Sequence, residues 1–182
     1  MMKLTDYIEV IDVLSKEQCE YIINLYKDSP MWLPATVGHE MEINTNRKCS
    51  SINPFHVDVL AQHSDPEIFD IINFAHKTLL EEYHQRHNSF RCDDFDVGIL
   101  RYEPGEYYIE HVDYFMQQPR SLSSSICLNY DYEGGELSFF NGEYDYRIEP
   151  GQAVVFPSNF MYPHQVKPVK FGVRYNIVSW YF

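Results

Sequence analysis

Residues 151–182 read GQAVVFPSNFMYPHQVKPVKFGVRYNIVSWYF, short runs of Val, Ile, Tyr and Phe cut by Gly, Pro and Asn. Runs of this composition and length suit strands of a pleated sheet, and the breakers between them suit tight turns. Strands are expected at 152–157, 162–169 and 172–181. Working back toward Asp96, the same texture gives strands at 96–102, 106–112, 122–130, 136–140 and 144–149. Gly105, Gly134, Gly135 and Gly151 fall between them as turn residues. Short strands at this spacing over about 85 residues point to a double-sheet jelly roll.

Before Asp96 the period is helical. Ser15-Lys16-Glu17-Gln18 has the form of a capping box, opening a helix over 16–26 whose apolar stripe is Cys19, Ile22, Ile23 and Tyr26. Pro30 and Pro34 end it. A second helix is expected from Pro66, capped by Ser64 or Asp65, to about His87 through Ile68, Ile71, Ile72, Ala75, Leu79 and Tyr83. Thr36 to Phe55 is mixed and polar, with room for a strand and a mobile loop. With no repeat or linker, the expectation is one domain over 1–182. It is mainly β with flanking α-helices: helical support and a possible lid in 1–95, and the jelly-roll core in 96–182.

Composition narrows the function. The chain has 182 residues, 45% hydrophobic and 16% aromatic, which excludes a disordered chain. Against 14 Lys and Arg stand 27 Asp and Glu, a net charge of -13 that disfavours nucleic acid and anionic membranes as partners. No run approaches the roughly 18 apolar residues of a membrane span, and the first residues lack a secretory pattern. Cys19, Cys49, Cys92 and Cys127 are scattered, as expected for reduced thiols in a cytoplasmic protein.

Two His-x-Asp triplets occur. His63-Ser64-Asp65 sits at a helix start, where Asp65 is better used as a cap. His111-Val112-Asp113 lies in strand texture, where residues two apart share a face and can reach one ion. A third ligand must come from a neighbouring strand, and His164 stands in an apolar segment ahead of Val166 and Val169. Two imidazoles and a carboxylate suit non-haem Fe(II) with open positions, and zinc accepts the same set. Arg174, ten residues after His164, falls on the adjacent strand, and a buried guanidinium asks for an anion. Taken singly, each residue has an ordinary reading: a core histidine, a rim carboxylate, a surface ion pair. His84 and His87, three apart on the second helix, read as a polar face.

The sequence resembles the Fe(II)- and 2-oxoglutarate-dependent dioxygenases, in their prolyl 4-hydroxylase-like branch. The likeness runs through Tyr102-Glu103-Pro104-Gly105, Tyr108 to His111-Val112-Asp113, Leu128-Asn129, Gly134-Gly135-Glu136-Leu137, Pro150-Gly151, Phe156-Pro157, His164-Gln165-Val166, Pro168-Val169 and Gly172-Val173-Arg174-Tyr175. It implies a double-stranded β-helix of cupin type, with His111, Asp113 and His164 as iron ligands and Arg174 as partner of the 2-oxoglutarate C5 carboxylate. Tyr102 is implied as a second support for that cosubstrate, with Trp180 and Tyr108 as pocket walls. Cys127 stands where many relatives carry a tyrosine. The implied cofactors are Fe(II), 2-oxoglutarate and O2, with ascorbate as reductant. The implied reaction hydroxylates an unactivated C–H bond, releasing succinate and CO2.

The expected substrate is a prolyl residue in a peptide or protein, with Thr36 to Asn53 and Met116 to Ser123 able to close over an extended chain. Competing readings are the same chemistry on a free amino acid or small metabolite, and a non-catalytic cupin-like binding module. A nucleic-acid demethylase is disfavoured, since Trp180 stands where the resembled repair enzymes carry a further arginine. A halogenase is disfavoured by Asp113, because those enzymes lack the carboxylate ligand.

Overall fold

A computed structural model describes residues 3–37, 43–63, 65–88, 92 and 94–182. Two sheets and three α-helices form the body, with helices α1 (Lys16–Tyr26), α2 (Val57–His63) and α3 (Glu67–His87). The larger sheet has seven strands, in the order Glu9–Asp12, Gln152–Pro157, Leu122–Cys127, Arg174–Tyr181, Phe95–Tyr102, Ser50–Ile52 and Leu33–Pro34. The smaller sheet has five, in the order Tyr144–Tyr146, Leu137–Phe139, His164–Val166, Tyr107–His111 and Arg47–Lys48. Every pairing in both is antiparallel. This is the expected double-stranded β-helix with helices against one face.

The period of two in the last strand divides the molecule. Ile177 and Tyr181 face the helices in one apolar core with Ile22, Ile72, Leu79, Ile126 and Val155. Their neighbours Asn176, Val178 and Trp180 face the other way, into the space between the sheets. A second core there joins Leu100, Tyr102, Leu137, Phe139, Val154, Phe156 and Val166. Burying this much apolar side chain on both faces makes the strand's register hard to shift.

Local signals set the helices. In α1 the Ser15 hydroxyl accepts from the Gln18 amide at 3.2 Å and the Gln18 side chain accepts from the Ser15 amide at 2.8 Å, closing the capping box. Cys19, Ile22 and Tyr26 are buried, while Ile23 is only partly so. At the start of α3 the Asp65 carboxylate accepts from the Glu67 amide at 3.0 Å, and all six expected apolar residues of the helix are buried. The other candidate cap, Ser64, lies outside the described residues.

Three expectations are corrected. The strand expected at 162–169 is two strands, because Lys167-Pro168 breaks it: His164–Val166 stays in the smaller sheet, and Val169–Phe171 pairs with Glu133–Gly134 in a separate ribbon. The strands at 122–130 and 144–149 stop at Cys127 and Tyr146. Within Thr36 to Phe55, where a strand and a mobile loop are expected, Arg47–Lys48 and Ser50–Ile52 are strands, one in each sheet, and in the other expected closing segment Leu122 and Ser123 belong to a strand. Residues 38–42 lie outside the described residues. Helix α2 was not expected at all.

Candidate active site

His111 ends its strand and His164 begins the neighbouring one, and the two are cross-strand partners. Asp113 lies in the bend two residues beyond His111, past the strand end, yet its carboxylate still meets both rings. Each histidine Nε2 stands 3.5 Å from a different Asp113 oxygen, and one donor atom from each of the three residues lies within 4.8 Å of the others. The His111 Nδ1 faces the Ile109 carbonyl at 2.9 Å and the His164 Nδ1 faces the Tyr162 carbonyl at 3.0 Å. A carbonyl only accepts, so each Nδ1 carries the proton and each Nε2 presents a lone pair to the common point.

Electrostatics favour the same state. His164 is 5% exposed, and burial together with the His111 charge lowers its pKa to about 4, so the ring is neutral near neutral pH. Burial alone would raise the Asp113 carboxyl, but His164, His111 and the Ser123 hydroxyl outweigh it and hold the group well below the usual carboxylate range. Two imidazole nitrogens and one carboxylate on one side of a point fit a divalent ion with open positions on the other.

These three groups stand on a cleft that opens to solvent. Tyr108, Tyr102, Leu100, Leu137, Phe156 and Trp180 form its walls. The Tyr108 ring stacks on His111 at 3.5 Å between centroids, tilted by 19°, and burial pushes its phenol up to about 12. Tyr102 is 1% exposed, and burial raises its phenol far above the ordinary range. All the residues singled out from the sequence are therefore at this cleft or directly behind it.

Arg174 is the one behind it. Its guanidinium lies over the Tyr102 ring at 5.2 Å and donates to Asn176, whose amide donates to Ser125 at 3.0 Å. It lines a small hollow with Cys127, Tyr132 and Gly135, and that hollow shares Ser125 and Leu137 with the cleft. Arg174 is 5% exposed, its Nε has no partner, and among the described residues no carboxylate lies within 4.0 Å of it. A buried, unpaired guanidinium is costly and is relieved by an anion. Gly135 makes room for it: at φ +66° a Cβ would fall 2.9 Å from Arg174 Cδ and 3.0 Å from Val169 Cγ2.

Sequence reasoning missed four participants. Cys127 donates to the Asn129 carbonyl at 3.0 Å, and Tyr132, five residues on, comes close enough to Arg174 for the guanidinium to offset part of the rise that burial gives its phenol. Asn176 was legible as the next residue on the Arg174 face of the strand. Arg47 and Arg120 also flank the cleft, Arg47 on its wall and Arg120 over Trp180 at 4.2 Å. Nothing local in the sequence marks either.

Fold and donor set together describe a jelly roll with three candidate metal ligands near a buried guanidinium. Comparison with known proteins narrows the class. The profile of the 2OG-Fe(II) oxygenase superfamily matches residues 97–182. A PKHD-type hydroxylase of Crocosphaera subtropica is 35% identical over 93 residues, covering 46% of this chain and 41% of the relative. One from a Synechococcus species is 39% identical over 90 residues, covering 46% and 40%. The matched stretch is thus less than half the length of these curated relatives. A Trichoplax adhaerens prolyl hydroxylase, solved with a hypoxia inducible factor peptide fragment, has a TM-score of 0.75 at 21% identity, covering 98% of this chain and 84% of that one. A viral collagen prolyl hydroxylase from Paramecium Bursaria Chlorella virus-1 has a TM-score of 0.70 at 21% identity, covering 96% and 95%. The shared fold therefore runs through the helical half as well.

Proposed function

We propose that this chain is an Fe(II)- and 2-oxoglutarate-dependent dioxygenase that hydroxylates a prolyl residue in a peptide or protein, releasing succinate and CO2. The observation that carries this reading is one cleft with a two-histidine, one-carboxylate cluster on its wall and an unpaired buried guanidinium behind its floor. In this reading His111 Nε2, Asp113 and His164 Nε2 hold iron, and Arg174 receives the C5 carboxylate of 2-oxoglutarate. Tyr102 adds its hydroxyl to that carboxylate, and Tyr132 stands in for the tyrosine that Cys127 replaces. Bound iron and 2-oxoglutarate supply the means of activating O2 for attack on a C–H bond. Ascorbate is the reductant that keeps the metal ferrous.

The chain's own groups orient and exclude. The carbonyls of Ile109 and Tyr162 fix the imidazole tautomers, Tyr108 stacks against the His111 ring, and Leu137, Phe156, Val178 and Trp180 keep bulk water from the reacting atoms. A macromolecular substrate is favoured by exposed apolar side chains on the segments that follow Asp113 and Ser158. Tyr114 is 44% exposed and Phe160 81%, on segments joined by the Tyr114 amide and the Ser158 carbonyl at 3.0 Å, with Met116 at 82% nearby in sequence. Exposed apolar side chains gathered at a site mark a contact surface.

The test is incubation with Fe(II), 2-oxoglutarate and ascorbate across a broad panel of proline-containing peptides. Succinate formation coupled to a one-oxygen mass gain on a peptide is expected. Succinate stimulated by free proline and by no peptide would move the substrate to the small-metabolite class. Failure to bind Fe(II) or to form succinate would reduce the protein to a binding module.

A further inference from the structure

Two arginines at the cleft are held by aromatic rings and lack an acidic partner among the described residues. Arg47 lies on an edge strand opposite Tyr108, with its guanidinium 4.9 Å above the Tyr108 ring and one arm donating to the Thr36 carbonyl at 3.0 Å. Arg120 is held between the rings of Phe115 at 4.5 Å and Trp180 at 4.2 Å, and donates to the Asp113 carbonyl at 3.4 Å. Each has a buried Nε without a partner. The two rings that carry them, Tyr108 and Trp180, line the same cleft.

Acids are not scarce: the chain carries 27 against 14 bases. Four other cations use them, Arg86 with Glu9 and Glu82, Lys167 with Asp145, Lys77 with Glu81, Arg101 with Glu103, whereas Arg147 lies over the Tyr130 and Tyr132 rings and takes none among the described residues. Among the described residues neither Arg47 nor Arg120 has a carboxylate within 4.0 Å; Asp96 and Asp113 act on Arg120 only from farther away. Two partly desolvated like charges held by aromatic faces are an unfavourable arrangement that an incoming anion reverses. Arg174, another guanidinium without a carboxylate partner, already serves the cosubstrate in the reading above.

We propose that Arg47 and Arg120 form a recognition site for a carboxylate of the substrate, carried next to the residue whose C–H bond is oxidised. This rests on the dioxygenase reading and deepens it by naming a substrate class. The carboxylate is either an acidic side chain flanking the target in a peptide or the main-chain carboxylate of a free amino acid. Planar guanidinium forks match either one.

The experiment uses the full chain loaded with Mn(II) and 2-oxoglutarate, with loading confirmed by a thermal shift that Arg174→Met removes. Fluorescein-labelled proline peptides are titrated in pairs, with Asp or Glu beside the proline in one member and Asn or Gln in the other. Free proline and prolinamide compete in a parallel arm. The acidic member, or proline over prolinamide, is expected to bind at least about tenfold tighter, with the gap closing as salt rises. Arg47→Gln and Arg120→Gln each narrow the gap, the double variant removes it, and Arg47→Lys or Arg120→Lys restores part of it. Arg86→Gln, remote from the cleft, leaves it intact. A peptide gap with no proline gap assigns the carboxylate to a peptide, and the converse to an amino acid. Equal binding within both pairs by loaded protein overturns the proposal, as does a gap that survives the double variant. Loss of 2-oxoglutarate loading in Arg47→Gln, equal to that in Arg174→Met, also overturns it by placing Arg47 on the cosubstrate. If the wild-type chain does not load, the dioxygenase reading falls first and this one with it.

Discussion

Acid should unfold this protein through His76. The residue sits on α3 at 2% exposure, with Nδ1 at 2.7 Å from the Tyr181 hydroxyl, Nε2 at 3.2 Å from the Ser179 hydroxyl and its ring centroid 4.1 Å from that of Phe95. Burial lowers its pKa from 6.5 to about 3. The unfolded chain therefore takes up a proton near pH 6.5 that the folded chain refuses until about pH 3. Between those values the unfolded state binds more protons, so stability falls as pH falls, at about 1.4 kcal/mol per pH unit. From pH 6.5 to 4.5 that amounts to roughly 3 kcal/mol, a large part of the 5–15 kcal/mol that holds a typical domain together. Replacing His76 by Phe forfeits two hydrogen bonds and should cost about 1–3 kcal/mol at neutral pH. It should also flatten the acid limb by the slope just given. Urea unfolding of both proteins in chelator across pH 4.5–7.5 measures this, because subtracting one curve from the other cancels the remaining histidines. A difference in unfolding free energy that stays constant with pH would refute the argument.

Other outcomes follow from the site. Arg174→Met should raise the melting temperature of the cosubstrate-free protein by a few degrees, since it removes an unpaired buried charge at about 1–2 kcal/mol, while abolishing stabilisation by 2-oxoglutarate. A variant less stable than wild type without 2-oxoglutarate would contradict the unpaired-charge argument. Asp113→Asn should weaken Mn(II) binding by more than about a hundredfold, measured by titration calorimetry, because it removes the only anionic donor of the set. Gly135→Ala should cost about 1–2 kcal/mol from a left-handed backbone alone and should also weaken 2-oxoglutarate binding through pressure on Arg174. Chemical denaturation and a 2-oxoglutarate titration report the two effects separately.

Much of this was legible in the sequence, and the reasons are local. The α1 boundaries came out residue for residue because a capping box and two prolines bracket an amphipathic stripe. The strand at 172–181 showed in its Val, Ile and Tyr content after the Gly172 turn, while the shared pocket of Arg174 and Trp180 came from the resemblance. Helix α2 was missed because it is seven residues long with a single buried side chain, too short for a period to show. The strands Leu33–Pro34 and Arg47–Lys48 have two residues each and exist only through their partners. The same holds for Arg47 and Arg120, since lacking an acidic neighbour is a property of three-dimensional surroundings. Tyr132 was hidden because it lies outside any strand, and only the folded chain brings it beside Arg174.

The strand Arg174–Tyr181 gives this protein an uneven tolerance to mutation. Its two sets of side chains can drift independently, one under the demands of ligand binding and the other under those of helix packing. Loss or gain of a single residue within it is a different matter, for it would swap the two sets wholesale, driving Ile177 and Tyr181 into the wet cleft and Arg174 into oil. Length changes have to be absorbed in the turns on either side.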